Sequence, residues 1–232
     1  MRLDKLLANK AFGSRKEVHQ IIKDRRVTVN DIIVVKKDYP INIDTDTIAV
    51  DGSQISTKQL YYIKFHKPAG YITAVEDRSH PVVMDLLPPE FKKMGVFPVG
   101  RLDKDTEGLL LLTNDGVWAH SIINGHKHVP KVYYVEFHGI LSKEGLERIS
   151  VGIVLGDGIQ CKPATINILS DKSLEITIEE GKYHQVKRMI EAAGGEVTYL
   201  KRLSVGHITL SGIEETNTYL EIGDQEIADF KK

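Results

Sequence analysis

The side chains with the clearest chemical potential lie in one short acidic segment. Asp103, Asp105 and Glu107 alternate before Gly108, and residues 109–112 are four consecutive leucines. An apolar run of this length is typical of a buried strand, and the Asn-Asp-Gly sequence that follows it favours a turn. A carboxylate fixed at the end of a buried strand can act as a nucleophile or as a general base. The segment therefore predicts a reactive carboxylate.

Other reactive patterns are missing from the sequence. The three acids match the first half of a calcium-binding loop, but the glutamate that must close such a loop is replaced by Asn114. Structural zinc sites use paired ligands, whereas Cys161 is the sole cysteine and the four histidines between positions 120 and 138 are scattered. Neither a Gly-x-Ser-x-Gly elbow nor a glycine-rich phosphate loop occurs. The sequence thus predicts no metal site and no nucleotide cofactor.

A second polar segment combines basic residues with a helical pattern. Residues 180–189 read Glu-Gly-Lys-Tyr-His-Gln-Val-Lys-Arg-Met, and Gly194-Gly195 provides a stop signal. The apolar residues that follow Gly181 at helical spacing are Val186, Met189, Ile190 and Ala193. We therefore predict an amphipathic helix that carries Lys187 and Arg188.

The elements that must position these two segments predict an α+β protein. Helices are expected at 115–123, from near Ser142, and after Gly181, while residues 75–98 are expected to be irregular. Strands are predicted at 61–67, 109–112, 131–137, 164–169, 174–179, 196–201 and 205–210. Because helices and strands do not alternate strictly, the pattern favours a mixed, mainly antiparallel sheet.

The N-terminal segment differs from the rest in charge. Residues 1–37 contain ten Lys or Arg against four acids, a charge of +6, whereas the whole chain carries −1. This asymmetry indicates a basic module that meets phosphate, although a solvated helix face would show the same pattern.

The same segment has the pattern of two helices followed by strands. Leu3, Leu6 and Leu7 follow helical spacing, and Ser14-x-x-Glu17 forms a capping box for a second helix. Strands are predicted at 25–34, with a turn at Asn30-Asp31, and at 44–50.

This ααβ unit resembles the S4 RNA-binding domain. Arg-Leu-Asp-Lys near its start, Ser-Arg at the second helix and Arg-Val-x-Val-Asn before the strands carry the resemblance. The resemblance implies that RNA-facing residues lie on the second helix and the adjoining loop and strand. By position these residues are Ser14, Arg15, Lys16, Arg25 and Arg26. Simple solvation remains an equal alternative for Arg2 and Lys5.

The domain organisation follows from this unit and from a polar stretch after it. We expect an S4 domain at 1–52, a linker at 53–58 and a catalytic domain at 59–232.

The remaining motifs resemble those of the RsuA-like branch of pseudouridine synthases. In the family's order, the sequence contains Lys-Pro-x-Gly at 67–70, Gly-Arg-Leu-Asp-x-Asp-Thr at 100–106, Lys-x-Tyr-x-Val at 131–135 and Tyr-His-Gln-Val-Lys-Arg-Met at 183–189. The resemblance implies isomerisation of a ribosomal RNA uridine to pseudouridine, a reaction that needs no cofactor.

The resemblance also implies roles for single residues. Asp103 would be the catalytic carboxylate, as nucleophile at C1′ or base at C2′, with the Lys187 ammonium against it. Tyr133 would stack on the target base, although periodicity alone does not choose between it and Tyr134. Arg101 would contact a neighbouring phosphate or fill the space that the base vacates, and Arg188 would meet RNA phosphate or solvent.

The substrate expected from this resemblance is 16S ribosomal RNA or a small-subunit assembly intermediate. His184 and Lys187 look more like the small-subunit enzyme, which modifies uridine 516 in bacterial numbering. A 23S enzyme of the same family is one alternative, and a non-catalytic S4-type assembly protein is another. The intact Asp103 segment counts against the second.

Composition agrees with a protein of the cytosol. Hydrophobic residues make up 41% and charged residues 27% of the chain, as in globular proteins. No apolar run approaches the roughly 18 residues that a membrane span needs, and the N-terminus lacks the apolar core of a signal peptide. We expect a cytoplasmic protein that does not associate with membranes, and the family resemblance implies a monomer.

Overall fold

The structure is a computed structural model that describes residues 1–124 and 128–230. The chain forms two compact units, and the smaller one is discontinuous in sequence. It comprises Met1–Tyr61 together with Leu87–Val96, and the larger unit comprises Tyr62–Leu86 and Phe97–Lys232.

The smaller unit contains two helices and a sheet from its first 55 residues. Helix α1 spans Leu3–Asn9 and α2 spans Arg15–Lys23. The strands are β1 (Val27–Val29), β2 (Ile32–Ile33), β3 (Ile48–Val50) and β4 (Ser53–Ile55). They form an antiparallel sheet in the order β2-β1-β3-β4. Its core consists of apolar residues from both helices and the strands, among them Leu3, Leu6, Leu7, Val18, Ile22, Val27 and Ile48.

Two local predictions for this unit are confirmed. The Ser14 hydroxyl accepts a hydrogen bond from the Glu17 amide, and the Glu17 carboxylate accepts one from the Ser14 amide, which completes the capping box. Asn30 and Asp31 both have positive φ angles, as the tight turn between two strands requires.

The expected linker at 53–58 is wrong in its first half. Ser53–Ile55 is strand β4 and pairs with β3. Ser53 and Gln54 are exposed and Ile55 packs against the core, and a strand of three residues is too short to show the alternation that would have predicted it.

The larger unit is built on one sheet. Its strands are β5 (Tyr62–Lys67), β6 (Phe97–Val99), β7 (Glu107–Thr113), β8 (Lys131–Gly139), β9 (Thr165–Ser170), β10 (Ser173–Ile178), β11 (Gly195–Val205), β12 (Ile208–Thr209) and β13 (Tyr219–Glu221). They lie in the order β13-β5-β7-β11-β8-β10-β9, with β6 beside β7 and β12 beside β11. Within the described residues β7 and β11 are parallel and the other pairs are antiparallel. The α+β class with a mixed, mainly antiparallel sheet is confirmed.

The described residues of the larger unit also contain four α-helices, which lie between or after its strands in sequence. They are α4 (Gly116–Ile123), α5 (Lys143–Val151), α6 (Gln185–Ala192) and α7 (Asp224–Asp229), while α3 (Pro89–Lys93) belongs to the smaller unit. Asp115 and Ser142 cap α4 and α5 through their side chains. One apolar core of this unit includes Leu109, Leu111, Trp118, Ile122 and Phe230.

Three predictions of local structure differ from the observed elements. Residues 75–98 are not all irregular, because they contain a 3₁₀ turn, α3 and the start of β6. The two strands expected at 196–201 and 205–210 are mainly one long strand, β11. The expected gap between residues 201 and 205 is absent, because the Arg202 side chain is only 3% exposed and its Nε donates to the Leu109 carbonyl, so the strand continues through it.

Candidate active site

Asp103 lies in a loop that connects two neighbouring strands of the large sheet. The loop spans residues 100–106, between β6 and β7. Strand β7 is hydrogen-bonded to β5 along its length and to β11 at its first residues. The loop is also held beside Asp103, because the Thr73 hydroxyl donates to the Leu102 carbonyl at 2.8 Å and accepts from the Leu102 amide at 3.1 Å. The sheet therefore fixes the backbone on both sides of Asp103.

The Lys67 side chain binds the backbone of the same loop. Its side chain is fully buried, and Nζ donates to the carbonyls of Thr106 at 2.7 Å, Pro68 at 3.0 Å and Lys104 at 3.3 Å. Burial lowers the pKa of the Lys67 ammonium to about 8, although the nearby Asp105 and Asp103 carboxylates favour its charged form. The Lys-Pro-x-Gly motif thus has a structural role, since its lysine supports the backbone that carries Asp103.

The Asp103 carboxylate faces the start of α6. Its Oδ1 lies 3.5 Å from Nε2 of His184, and its Oδ2 lies 3.8 Å from Nζ of Lys187. About a quarter of the Asp103 side chain is exposed. A carboxylate with one cation within 4 Å and an open side has the two properties that a nucleophile or base requires, namely charge and access.

The main partner of Lys187 differs from the one expected. Its Nζ donates to both oxygens of Asp105, at 2.6 and 2.7 Å, and is further from Asp103. Partial burial opposes ionisation of Asp105, but the hydrogen bonds and charge of Lys187 outweigh it, so the pKa of Asp105 lies below its usual range. Lys187 is therefore shared between two carboxylates two residues apart in one loop.

His184 is a site residue that the motif search did not assign a role. It precedes α6 in a left-handed backbone conformation with φ of 48°, and its ring stacks on Tyr183 with ring centroids 3.9 Å apart. This conformation directs the imidazole to Asp103 instead of into the helix. The only available signal was its place in the Tyr-His-Gln-Val-Lys segment, because a positive φ at a histidine is not readable from sequence.

Helix α6 is held against the sheet by its apolar stripe and by one buried amide. Val186, Met189 and Ile190 are buried, as the spacing predicted. The Gln185 amide donates to Oε1 of Glu180 at 2.6 Å, while its own oxygen accepts from the Lys182 amide. These contacts fix the first turn of the helix, which carries Lys187.

A cavity of about 750 Å³ opens beside Asp103. It is lined by residues of the loop 100–106, of β8 and β11, and of the segment before α6, including Asp103, Tyr133, His184 and Arg202. Its volume lies in the range of small-ligand sites, and a single nucleoside fits such a space. The cavity is therefore large enough to receive one base and its sugar.

The structure distinguishes the two neighbouring tyrosines of β8. Tyr133 is buried and lines the cavity, whereas the Tyr134 hydroxyl donates to Glu136 and its ring packs against Tyr199. Adjacent residues of a strand point to opposite faces. Tyr133 is thus the tyrosine that lies in the same cavity as Asp103.

The two arginines predicted around this site have different environments. Arg101 is exposed and lines the cavity. Arg188 is mostly buried, forms an ion pair with Asp157 and donates to the Tyr183 carbonyl at 3.2 Å. Arg188 is thus already engaged by the protein, unlike the solvent or phosphate contact expected for it.

The basic residues predicted in the smaller unit are also not equivalent. Arg15, Lys16 and Arg25 are exposed. Arg26 forms a bidentate pair with Asp51, at 2.6 and 2.8 Å, and Ser14 is occupied by its capping box. The first three are therefore the better candidates for contact with phosphate.

Residues 1–124 and 128–230 contain neither a cluster suited to a metal ion nor a helix suited to a membrane span. No cluster of three or more His, Cys, Asp or Glu side chains in this part of the chain has the arrangement of a metal site. His126, one of the histidines considered above, lies outside the described residues. Across the same residues, no helix combines the length and apolarity needed to cross a membrane.

Comparison with known proteins gives matches over most of the chain. The RNA pseudouridylate synthase family matches residues 61–192, and the S4 domain family matches residues 1–48. RNA pseudouridine synthase YtzG of Bacillus subtilis is 42% identical, covering 98% of this chain and 97% of that protein. Ribosomal small subunit pseudouridine synthase A of Escherichia coli is 34% identical, covering 98% and 99%. A crystal structure of a pseudouridylate synthase has a TM-score of 0.69 at 31% identity, with 99% of both chains covered.

The fold and these relatives show an RNA-modifying isomerase that carries an S4 domain. The chain belongs to the RNA pseudouridine synthase family and is similar over nearly its full length to the enzymes named ribosomal small subunit pseudouridine synthase A.

Proposed function

We propose that this enzyme converts one uridine of 16S ribosomal RNA to pseudouridine, with uridine 516 in bacterial numbering as the target. The observation that supports the proposal most strongly is the placement of Asp103 at a 750 Å³ cavity that Tyr133 and His184 also line, with Nζ of Lys187 at 3.8 Å from its carboxylate. The relatives named ribosomal small subunit pseudouridine synthase A, at 34% and 35% identity over nearly the full chain, favour the 16S substrate.

In this proposal Asp103 starts the reaction at the ribose of the target nucleotide. Its carboxylate attacks C1′ or removes the C2′ proton, and both steps need an ionised group that the sugar can approach. The uridine must leave its stack to reach the cavity, at a cost of a few kcal/mol. Stacking on Tyr133 offsets part of this cost, and the exposed Arg101 contacts the phosphate next to the extruded nucleotide or fills the space it leaves.

In this proposal the smaller unit, which contains the S4 domain, supplies RNA affinity, and the larger unit supplies the chemistry. Arg15, Lys16 and Arg25 contact phosphate, with weaker roles for Ser14, Arg26 and Arg188 because these are engaged within the protein. The partner is ribosomal RNA or a small-subunit assembly intermediate, and the enzyme acts as a cytoplasmic monomer.

The direct test is to incubate the protein with 16S and 23S transcripts and with small-subunit assembly intermediates, and then to map pseudouridine by carbodiimide treatment and primer extension. We expect one new stop in 16S RNA. A stop only in 23S RNA would assign the enzyme to the large subunit. No stop in any substrate, with RNA binding retained, would favour a non-catalytic assembly protein.

Replacing the exposed basic residues of the smaller unit should weaken RNA binding in a salt-dependent manner. We expect the Arg15→Ala, Lys16→Ala, Arg25→Ala triple variant to reduce the log–log salt slope of RNA affinity by about 2, because each lost phosphate contact removes roughly 0.7 to 0.9. Filter binding between low and moderate salt measures this slope. Point substitutions are preferable to deleting residues 1–52, since Leu87–Val96 belongs to the same unit.

Arg2→Ala is the control for this triple variant. Arg2 is half-exposed and forms a bidentate pair with Asp4, at 2.6 and 3.0 Å, so its charge is already compensated. Its removal should leave the slope near the wild-type value. An unchanged slope in the triple variant would show that these three residues face solvent in the RNA complex.

Lys187→Met should impair both activity and stability. Asp103 loses the cation 3.8 Å away and Asp105 loses its hydrogen-bond donor, so we expect the single-turnover rate to fall about 10- to 100-fold at neutral pH. Lys187→Arg should be milder because it keeps the charge, although the planar guanidinium changes the geometry. Single-turnover formation of pseudouridine measures the effect.

The stability effect of Lys187→Met should depend on pH. In the folded protein the pKa of Asp105 is held below its ordinary value of 3.8, so the pair stabilises the fold above that pH and the contribution is lost as pH falls through the folded-state value. The urea midpoints of wild type and variant should therefore differ at pH 7 and converge below pH 3.8. Arg188→Met, the neighbouring substitution, leaves both carboxylates paired and should not slow the chemical step. Equal slowing by the two substitutions would argue against a specific role for Lys187.

A further inference from the structure

Two polar atoms of residues that line the cavity are buried without a hydrogen bond. Over the described residues, the Nη2 atom of Arg202 and the Oγ1 atom of Thr106 belong to a small group of buried side-chain atoms that have no partner. Both residues line the cavity, and they are only 3% and 1% exposed. Buried polar groups in folded proteins are nearly always satisfied, so each exception requires an explanation.

The sheet places Arg202 directly beside the proposed stacking residue. Arg202 on β11 is paired in register with Tyr133 on β8, and on its other side with Gly108 on β7. Directly paired residues of neighbouring strands project to the same face. The Nε of Arg202 donates to the Leu109 carbonyl at 2.7 Å, which fixes the guanidinium and leaves Nη2 as the donor without a partner.

The local charge determines what kind of group these atoms can bind. Lys131 also lines the cavity, and burial together with the charge of Arg202 lowers the pKa of its ammonium to about 8, while Glu179 opposes this shift. The Arg202 guanidinium can only donate hydrogen bonds. The Thr106 hydroxyl can donate one as well as accept. The wall of the cavity next to Tyr133 therefore suits a hydrogen-bond acceptor that carries negative charge.

We propose that Arg202 Nη2 and Thr106 Oγ1 bind the carbonyl oxygens of the target uracil and stabilise the charge it acquires during the reaction. The inference rests on the proposed function. When the N1–C1′ bond breaks, its electron pair remains on N1 and spreads to O2 and O4 of the uracil. After the uracil turns, the C5–C1′ bond forms as Asp103 leaves C1′, or as C2′ regains its proton, and this returns the ring to neutrality. The C5 proton is then lost and N1 gains a proton, which gives pseudouridine. Donors fixed against O2 or O4 stabilise the intermediate stage more than the bound uridine.

The depth of the two atoms favours the base over the RNA backbone as their partner. A phosphate remains linked to its neighbours in folded RNA, whereas an extruded base can enter the cavity that Arg202 and Thr106 line. The arrangement also discriminates between pyrimidines. Cytosine presents an amino group where uracil has O4, and a guanidinium cannot accept a hydrogen bond from it.

Thr106→Val provides the first test, because we expect it to lower the reaction rate without lowering the stability of the fold. Valine has nearly the same shape, and the lost hydroxyl has no partner in the protein, so the melting temperature should stay equal or rise. The single-turnover rate should fall about 10-fold while RNA affinity is unchanged, as expected for a hydrogen bond that strengthens in the transition state. A wild-type rate for Thr106→Val would overturn the role of the hydroxyl.

Thr113→Val is the matched control, at the far end of strand β7, which begins directly after Thr106. The Thr113 hydroxyl is buried and accepts from the Asp115 amide at 3.0 Å, away from the cavity lining. Its removal should lower the melting temperature and leave the rate close to wild type.

The Arg202 contact is tested from the substrate side, because we expect substitutions of this buried, hydrogen-bonded arginine to destabilise the fold. RNA with 2-thiouridine or 4-thiouridine at the target position replaces one carbonyl oxygen by sulfur, a weak acceptor. If Arg202 binds that oxygen, the thio substitution should slow wild type and have a smaller effect on folded Arg202→Lys. Lys201→Gln, which alters the adjacent residue on the opposite face of β11, should respond like wild type.

The outcomes separate this inference from the proposed function. Equal slowing of all three proteins by both thio substitutions, together with a wild-type rate for Thr106→Val, would overturn the inference while leaving the enzyme active. Absence of pseudouridine formation by wild type on every ribosomal RNA substrate would overturn the proposed function and the inference with it.

Discussion

Asp103→Asn should abolish pseudouridine formation. Asparagine has the size of aspartate but is neither a nucleophile nor a base at neutral pH, so we expect the single-turnover rate to fall by about a thousandfold or more. The substitution should leave the fold intact, because Asp103 is partly exposed and its loop is anchored through the backbone by Thr73 and Lys67. RNA affinity should change little, and filter binding with the same transcript would establish this.

Asp105→Asn is the control that separates catalysis from loop charge. Asp105 lies in the same loop, and its side chain is 73% exposed and bound by Lys187. Removing its charge loosens that pair but leaves Asp103 in place, so we expect a reduction of about tenfold or less. If Asp103→Asn retained activity within tenfold of wild type, or if both variants were equally impaired, the catalytic carboxylate would have to be sought elsewhere.

The sequence indicated the residues of the candidate active site better than it indicated the contacts among them. Asp103 could be selected because its motif occurs together with three others in a fixed order, and the leucine run after it predicted a buried strand, which is confirmed. The contact of Lys187 with Asp105 could not be foreseen in this way. A spacing of two residues brings both acids within reach of the same ammonium, and the exact loop conformation decides which of them receives the hydrogen bonds.

Local signals also predicted helix starts more reliably than the extent of strands. The capping residues Ser14, Asp115 and Ser142 each bond to backbone amides within a few residues, so their effect is visible in a short stretch of sequence. Strand β11 depends on partners that are distant in the chain. Its continuity through Arg202 requires the Leu109 carbonyl, some 90 residues earlier, to accept the hydrogen bond of a charged side chain.

The choice between Tyr133 and Tyr134 shows the same limit. Both residues suit a strand, and alternation requires only that they face opposite sides. Which side holds the cavity depends on the register between β8 and β11, where Tyr133 pairs with Arg202 and Tyr134 pairs with Lys201. The family motif supplied this information, and the paired strands explain it physically.

Gly108→Ala should be the most destabilising single-methyl change in the catalytic half of the protein. Gly108 has φ of +106°, a conformation that costs any other residue strain, and a Cβ atom there would lie 2.2 Å from the Arg202 carbonyl oxygen and 2.5 Å from the Arg202 amide nitrogen. Both obstructing atoms are backbone, so a rotamer change cannot relieve the contact. The strands β7 and β11 must separate, and this disrupts the pairing next to the loop that carries Asp103.

We expect this loss to exceed about 4 kcal/mol, which is enough to unfold most of the protein or to leave a soluble form without activity. Urea unfolding followed by far-ultraviolet circular dichroism measures the change. Gly116→Ala is the matched control, because Gly116 opens α4, lacks a positive φ, and has open space where the Cβ would be. Alanine favours a helix, so this variant should unfold at an equal or slightly higher urea concentration. If Gly108→Ala and Gly116→Ala had the same midpoint, the close approach of β7 and β11 would not exist in solution, and the placement of Arg202 beside the Asp103 loop would lose its structural basis.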